Sequence, residues 1–171
     1  MYTKVRKKMG RPTIKNRPLT HAERMARYRS KKKQKAIFQS KRHDWSTPQD
    51  LFDRLNAEFH FTLDPCATDE TAKCERYFTP EIDGLKQSWA GETVFMNPPY
   101  GKALPIWMEK AHKEVNENGA TVVALVPART DTNWWHNHVN GFHVNFPKGR
   151  IRFGGCQKSA PFPSAIVVMK P

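Results

Sequence analysis

The sequence predicts an α/β fold in which a mostly parallel sheet carries an antiparallel edge, preceded by a basic N-terminal arm. Short apolar, β-branched segments alternate with segments of helical periodicity, which is typical of parallel strands joined by helices. Towards the C-terminus strand-like segments follow one another directly, which indicates antiparallel pairing. A sharp change of charge after residue 43 separates the arm, residues 1–43, from a domain, residues 44–171.

Charge is distributed very unevenly along the 171 residues, whose formal net charge is +13. Residues 1–43 contain sixteen Lys and Arg against one acid, Glu23, whereas the remaining thirteen basic residues nearly balance fifteen acidic ones. Such an arm indicates a polyanionic partner, either nucleic acid or an anionic membrane surface. A solubilising tail is the alternative interpretation.

Two short motifs lie in the arm. Thr20 and Glu23 have the spacing of a capping box, which predicts a helix from Thr20 to about Gln39. Basic residues would surround this helix on all sides, so it has no apolar face to bury and we expect it to be stable only against a partner. Gly10-Arg11-Pro12 resembles the centre of an AT-hook, a minor-groove binding motif.

The cysteines and the lack of long apolar segments bear on localisation. Cys66, Cys74 and Cys156 are odd in number and lie in no metal-ligand spacing, so we expect reduced thiols and no bound metal. The basic N-terminus lacks the apolar segment of a secretory signal, and no stretch approaches the roughly 18 apolar residues of a membrane span. We therefore expect a cytoplasmic protein that contacts no membrane.

The first half of the domain is expected to contain one helix and two strands. Ser46 or Thr47 would cap a helix with Pro48 in its first turn and apolar residues at helical spacing up to residue 59. One short strand would then end at Asp64, and a second would cover residues 94–96.

The second half is expected to begin with an amphipathic helix over residues 104–115, ended by Gly119 in the C′ position. Residues 121–126 form a continuous β-branched run of the kind found in buried parallel strands. A short helix at residues 133–139 and strands at 142–146, 150–153 and 164–169 would complete the domain. Of Trp134 and Trp135, we expect one to pack in the core and the other to be exposed.

The motif Asn97-Pro98-Pro99-Tyr100 directly follows an apolar strand, and such a motif arises by chance in roughly one chain in a thousand of this length. The Asn97 side-chain carbonyl and the Pro98 backbone carbonyl can accept the two hydrogens of an aromatic amine and stabilise charge that develops on it. Pro98 and Pro99 fix φ and lack N–H donors, which stiffens the loop. Tyr100 offers a ring on which a flipped base can stack. A rigid turn after a strand is the structural alternative.

This motif and five further segments, in their order along the chain, resemble the amino-methyltransferases, and more closely the compact Dam-type DNA N6-adenine methyltransferases carried by phages. The resemblance covers about residues 44–171. The matching segments are residues 44–48, 63–67, 83–85, 97–101, 149–153 and 160–164.

The resemblance implies a Rossmann-like methyltransferase sheet that binds S-adenosylmethionine. Asp64 then corresponds to the cofactor-loop acid, with Cys66 in the same loop, and Thr47 and Pro48 to the segment that contacts the methionine end of the cofactor. Asp83 would bind the adenine or ribose of the cofactor, with a simple turn residue as the alternative. Independently, ligands of open α/β sheets bind at the carboxyl ends of the strands, where both Asp64 and Asn97 would emerge.

One departure from the family pattern concerns the cofactor loop. After Asp64-Pro65-Cys66-Ala67 the chain continues Thr68-Asp69-Glu70 and lacks the glycines of the commoner Asp-Pro-Phe-x-Gly-x-Gly form. The loop contacts to the methionine part of the cofactor are therefore expected to differ from those of the commoner form.

DNA is the expected partner. In the domain, Arg150 and Arg152 alternate with Ile151 and Phe153, so both would lie on one face of a strand, where they would contact phosphates or be solvated at the sheet edge. The basic residues expected to bind DNA are Arg6, Lys7, Lys8, Arg11, Arg24, Arg27, Lys31, Arg150 and Arg152.

The function predicted from the sequence is transfer of a methyl group from S-adenosylmethionine to N6 of an adenine flipped out of DNA, which costs a few kcal/mol of unstacking. The alternatives are methylation of an amine in RNA or in a protein glutamine, and DNA binding without catalysis. We expect a monomer or weak dimer in the cytoplasm of a bacterial host, associated with DNA. The domain leaves no room for a separate target-recognition domain, so the target is expected to be short or relaxed.

Overall fold

The structure, a computed structural model, describes residues 20–25, 27, 45–154 and 156–171. The chain divides into two units, residues 1–41 and 42–171. In the first unit residues 21–25 and Arg27 are helical. Thr20 N–H donates to the Glu23 carboxylate at 2.8 Å, and Glu23 N–H donates to Thr20 Oγ1 at 3.3 Å. The predicted capping box is therefore confirmed, whereas the course of the helix towards Gln39 lies outside the described residues.

The second unit is built on a mixed sheet with strand order β2-β1-β3-β4-β6-β5. Strands β2, β1, β3 and β4 run parallel, while β4 pairs antiparallel with β6, and β6 with β5. The strands are β1 (Leu63–Asp64), β2 (Arg76–Tyr77), β3 (Thr93–Met96), β4 (Thr121–Pro127), β5 (His143–Asn145) and β6 (Ser164–Met169). The predicted α/β fold with an antiparallel edge is confirmed and is consistent with a Rossmann-like methyltransferase sheet.

Three helices cover the two faces of this sheet in the described part of the domain: α1 (Gln49–Phe59), α2 (Leu104–Asn118) and α3 (Asn133–His138). Alternate residues of β4 contact different cores. Val122, Ala124 and Val126 pack in a core with α2 and α3, whereas Val123 and Leu125 pack in a second core with α1. The site described below lies on the α1 face.

Helix α2 agrees closely with the expected pattern. The side chains that line its buried face recur at helical spacing, as predicted. These are Leu104, Trp107, Met108, Ala111 and Val115. Gly119 ends the helix with φ of 68°, a left-handed conformation that favours glycine, so its assignment as the terminating glycine is also confirmed.

Three local predictions are wrong. Helix α1 has Pro48 at its N-cap position, in place of Ser46 or Thr47, and lacks a side-chain cap because proline has no side-chain acceptor. Residues 150–153 form no strand in the described chain. Trp134 and Trp135 are both buried, at 8% and 5% exposure, because they lie on a helix, where consecutive side chains can share one buried face.

In the described ranges no helix combines the length and the apolar character that crossing a bilayer requires.

The strand β2 was not predicted, because it has only two residues, one of them charged, and so carries no apolar signal.

Candidate active site

The parallel strands β1 and β3 are neighbours, so their carboxyl ends bring Asp64 and Asn97 to the same edge of the sheet. The thiol of Cys66, two residues past β1, lies close to the backbone N–H of Asn97. A cavity of about 50 Å³ lies here and is lined by Trp45, Cys66, Asn97, Pro98, Pro99 and Tyr100. The structure thus brings the segment after β1 and the Asn-Pro-Pro-Tyr motif together in one candidate site.

The side-chain amide of Asn97 is held in one orientation. Its Nδ2 donates to the backbone carbonyl of Trp45 at 2.6 Å and to Thr47 Oγ1 at 3.0 Å. A backbone carbonyl can only accept, so the amide nitrogen must face Trp45 and the amide oxygen must point away. Asn97 Oδ1 is buried and has no hydrogen-bond partner in the described structure. It is therefore a free acceptor at the end of β3.

Thr47 has a role that the sequence did not reveal. The residue is 4% exposed, and its hydroxyl accepts the second Asn97 Nδ2 hydrogen. Thr47 was expected to contact the cofactor, and in the structure it is bonded to Asn97, the first residue of the Asn-Pro-Pro-Tyr motif, fifty positions later in the chain. The only sequence signal was its place in the Ser46-Thr47-Pro48 segment, which says nothing about a contact with a later loop.

Asp64 is a buried carboxylate with two backbone donors. Its Oδ1 accepts from the Cys66 N–H and its Oδ2 from the Lys73 N–H, both at 3.3 Å. Burial raises the pKa of Asp64 from 3.8 to about 6, because the hydrogen bonds and the charge of Lys73 only partly offset the loss of solvation. A negative charge here is consequently available to a cationic ligand near neutral pH.

Two cysteines lie close to Asp64 and stay neutral. Burial and the Asp64 charge raise the pKa of Cys66 well above its ordinary value, and the same two causes raise the pKa of Cys74 to about 12. Both thiols, like Cys156, are free of disulfides. Nucleophilic chemistry requires a thiolate. Cys66 therefore lines the site as a neutral group and not as a nucleophile.

Tyr100 belongs to an aromatic cluster that we define as Trp45, Tyr100, Phe153 and Phe162. The six ring-centroid distances within this cluster run from 5.2 to 6.5 Å. The Trp45 ring lies nearly parallel to the Tyr100 ring, with an angle of 24° between the ring planes and 6.5 Å between the centroids. The Tyr100 hydroxyl donates to the Leu125 carbonyl at 3.2 Å, and burial, aided by Cys66, raises its pKa, so the phenol stays protonated.

Asp83 lies beside the cofactor-loop segment. A side chain on Gly84 would place its Cβ 2.0 Å from the Pro65 carbonyl oxygen, so only glycine lets this turn pack against the end of β1. The Asp83 carboxylate bonds Lys86 at 3.0 Å and the Leu85 N–H at 3.3 Å. The hydrogen bond from Lys86 lowers the Asp83 pKa despite some desolvation, so the group is ionised.

Of the basic residues expected to bind DNA, four are described. Arg150 and Arg152 are exposed and flank Ile151, and the adjacent Phe153 is buried in the aromatic cluster, which brings this segment to the site. Arg24 and Arg27 are exposed on the helical segment of the arm. The other five lie outside the described residues: Arg6, Lys7, Lys8, Arg11 and Lys31.

A larger cleft, of about 350 Å³, lies away from this site. It is formed by the C-terminal ends of α1 and β6 together with the turn before β5, with Phe59, Phe142 and Val168 among its lining. The cleft lies at the C-terminal end of β6, which pairs with the start of β4. It is therefore at the opposite edge of the sheet from Asp64 and Asn97. Size alone does not identify the candidate active site, whereas the free acceptor on Asn97 does.

Comparison with known proteins agrees with this geometry. Residues 34–169 match the family model described as DNA N-6-adenine-methyltransferase (Dam). The chain is similar to the DNA N-6-adenine-methyltransferase of Haemophilus phage HP1, with 34% identity over 53% of this chain and 53% of the phage protein. It is also similar to the protein of that description from Escherichia phage T1, with 31% identity over 53% of this chain and 38% of the relative. The chain thus spans about half or less of the length of these relatives. Because the family model covers most of its residues, the chain belongs to the DNA N-6-adenine-methyltransferase (Dam) family.

Proposed function

We propose that this chain transfers a methyl group from S-adenosylmethionine to the N6 amino group of adenine in DNA. One observation carries the proposal: the buried, unpartnered Oδ1 of Asn97, held in place by Trp45 and Thr47 at the start of the Asn-Pro-Pro-Tyr loop. Membership of the family and the names of the two phage relatives support the choice of DNA adenine as the acceptor.

The residues at the end of β1 fit a cationic cofactor. Asp64 is buried, and the described hydrogen bonds to its carboxylate come from backbone N–H groups, so much of the cost of burying its charge remains uncompensated. A ligand ammonium group would offset that cost. The adjacent turn of Asp83 offers a second ionised carboxylate for the sugar or base of a nucleoside, provided that it exchanges its bond to Lys86.

In the acceptor half of the site, Asn97 Oδ1 and the Pro98 carbonyl would accept the two hydrogens of the adenine amine. Holding the amine in this way orients its nitrogen and stabilises the positive charge that develops on it. When bound, S-adenosylmethionine would supply a sulfonium-activated methyl group to that nitrogen. The N–C bond would form as the C–S bond breaks, and the amine would then lose a proton to solvent. The neutral thiol of Cys66 takes no proton from it.

Binding of the base requires the aromatic cluster to open. The cavity beside Asn97 measures about 50 Å³, well below the roughly 300 Å³ at which small-molecule pockets begin. Trp45 covers Tyr100 on the ring face where a base would stack. We infer that Trp45 gives way to the flipped adenine, which then stacks on Tyr100 in its place.

The test compares acceptor classes. Full-length protein is incubated with labelled S-adenosylmethionine and, separately, with duplex DNA, structured RNA or a glutamine-containing protein, and modified nucleosides or residues are identified by mass spectrometry. The proposal predicts N6-methyladenine in DNA, with Asn116→Ala, an exposed asparagine on α2, as a matched active control. Label in RNA or protein alone would favour the related amine methyltransferases, and no transfer with no calorimetric cofactor binding would favour a DNA-binding protein without catalysis.

A further inference from the structure

Ser164 carries a second unpartnered polar atom at the edge of the sheet where the proposed site lies. It is the first residue of β6, is 4% exposed, and its Oγ is buried without a hydrogen-bond partner in the described structure. A buried hydroxyl that bonds to nothing is destabilising, and such groups are uncommon enough to need an explanation. The mechanism proposed above makes no use of this residue.

The register of the sheet places Ser164 on the same face as Tyr100. Ser164 pairs with Pro127 at the carboxyl end of β4, two residues beyond Leu125, whose carbonyl accepts the Tyr100 hydroxyl. Because side chains alternate along a strand, Ser164 shares its face with Ile166, which packs in the core on the α1 side together with Tyr100 and Phe162.

Asn97 lies on this face as well, because it comes two residues after Phe95 in the alternation of β3. The Phe95 ring packs edge-on against Phe52 of α1, with 5.1 Å between the ring centroids. Among the described residues three side chains have a buried N or O atom without a partner, and two of them, Asn97 and Ser164, thus lie on one face at one edge of the sheet.

The strand order separates Ser164 from the proposed cofactor region. Asp64 ends β1 on one side of Asn97, whereas Ser164 begins β6, two strands away on the other side. At about 4.8 Å per strand, β6 lies roughly 10 Å from β3. A ligand that contacts both Asn97 and Ser164 therefore extends away from Asp64, as the acceptor base does in the proposed reaction.

We propose that the Ser164 hydroxyl donates a hydrogen bond to a ring nitrogen of the target adenine, and so helps to select that base. This inference rests on the proposed function and extends it. Adenine carries ring nitrogens that accept hydrogen bonds on either side of its amino group, at N1 and N7. Toward the base, Asn97 presents only its Oδ1 acceptor, because its Nδ2 is bonded to Trp45 and Thr47, whereas a serine hydroxyl can also donate. The hydroxyl is reached when the aromatic cluster opens to admit the base.

The test combines a protein change with a base change. Initial rates of methyl transfer are measured for full-length wild type and Ser164→Ala on one duplex whose target is adenine, 1-deazaadenine or 7-deazaadenine. The deaza bases each lack one ring nitrogen. Ser164→Cys, similar in volume but a weak donor, separates loss of the hydrogen bond from loss of packing. Ser88→Ala, at an exposed serine, is the matched control, and thermal melting checks that each variant is folded.

For wild type, kcat/KM on one of the two deaza bases should be on the order of 10-fold lower than kcat/KM on the other. Ser164→Ala should lower kcat/KM on adenine by a similar factor and add no further loss on that deaza base. If Ser164→Ala lowers transfer to all three bases by one common factor, or leaves it unchanged, the hydroxyl does not contact the base. If wild type transfers no methyl group to adenine in any duplex, the proposed function fails instead.

Discussion

The Asn97 amide donates to the backbone carbonyl of Trp45 across 2.6 Å, although the two residues are separated by fifty-one others in the chain. Because the acceptor is a main-chain atom, substitution of the Trp45 side chain does not remove it. Together with the Thr47 hydroxyl, it fixes which end of the amide faces the site. The segment before α1 thus positions a group of the loop after β3.

Thr47 is expected to act on the rate through Asn97. Thr47→Val removes the acceptor and keeps the shape, which should lower kcat on the order of 10-fold because the amide loses one of its two restraints. Thr47→Ser should restore most of kcat. Steady-state kinetics with varied cofactor make the distinction: a rise in the cofactor KM with unchanged kcat would instead place Thr47 against the cofactor.

Tyr100 is expected to contribute through its ring. Tyr100→Phe keeps the stacking surface and loses the bond to Leu125, so it should retain much of the activity while the free energy of unfolding falls by about 1 kcal/mol. Tyr100→Ala should lose most of the activity. Methyl-transfer rates and denaturant unfolding of both variants are the measurements. Equal loss of activity in the two would show that the hydroxyl takes part in the reaction.

Cofactor binding is expected to weaken in acid. The pKa of Asp64 is about 6, so at pH 5 only about a tenth of the carboxylates are charged, and cofactor affinity should fall up to about 10-fold between pH 8 and pH 5. Asp64→Asn should bind weakly at every pH in this range. The pH dependence should persist in Asp83→Asn, because the pKa of Asp83 is lowered and the wild-type Asp83 carboxylate does not titrate in this range. Calorimetric titrations of wild type that are flat with pH would contradict the assignment of Asp64.

Asp64 also makes the free energy of unfolding depend on pH. The folded-state pKa of Asp64 lies above its ordinary value of 3.8, so the folded protein holds this proton more tightly than the unfolded chain. The contribution of Asp64 to the free energy of unfolding therefore decreases as the pH rises from 3.8 to about 6 and stays low above that range.

The basic arm is expected to bind DNA by neutralising phosphates. If Arg24 and Arg27 each neutralise one phosphate, the double substitution of both residues by Gln should reduce the slope of log K against log salt by about 2. Arg54→Gln, on α1 and also exposed, should leave the slope unchanged. Binding to one duplex is measured over a salt series. An unchanged slope for the double variant would remove these two residues from the DNA contacts.

The fold was predictable because its signals are local. The apolar run of β4, the helical spacing in α2 and the glycine that ends α2 each follow from short-range pattern. The proximity of Asp64 and Asn97 was also predictable, since parallel neighbours end at one edge. The bond between Asn97 and Thr47, the packing of Trp45 against Tyr100 and the face of Ser164 were not predictable, because each depends on how distant segments pack. No local pattern encodes such contacts.

The most direct test measures methyl transfer by Asn97→Ala at saturating DNA and S-adenosylmethionine, with cofactor affinity determined by calorimetry on the same preparation. Asn97 acts on the adenine amine in this account, so losing its oriented acceptor should lower the maximum rate on the order of 100-fold or more, while cofactor affinity stays close to wild type. A variant that keeps more than a tenth of the rate, or that loses cofactor binding in step with the rate, would contradict it.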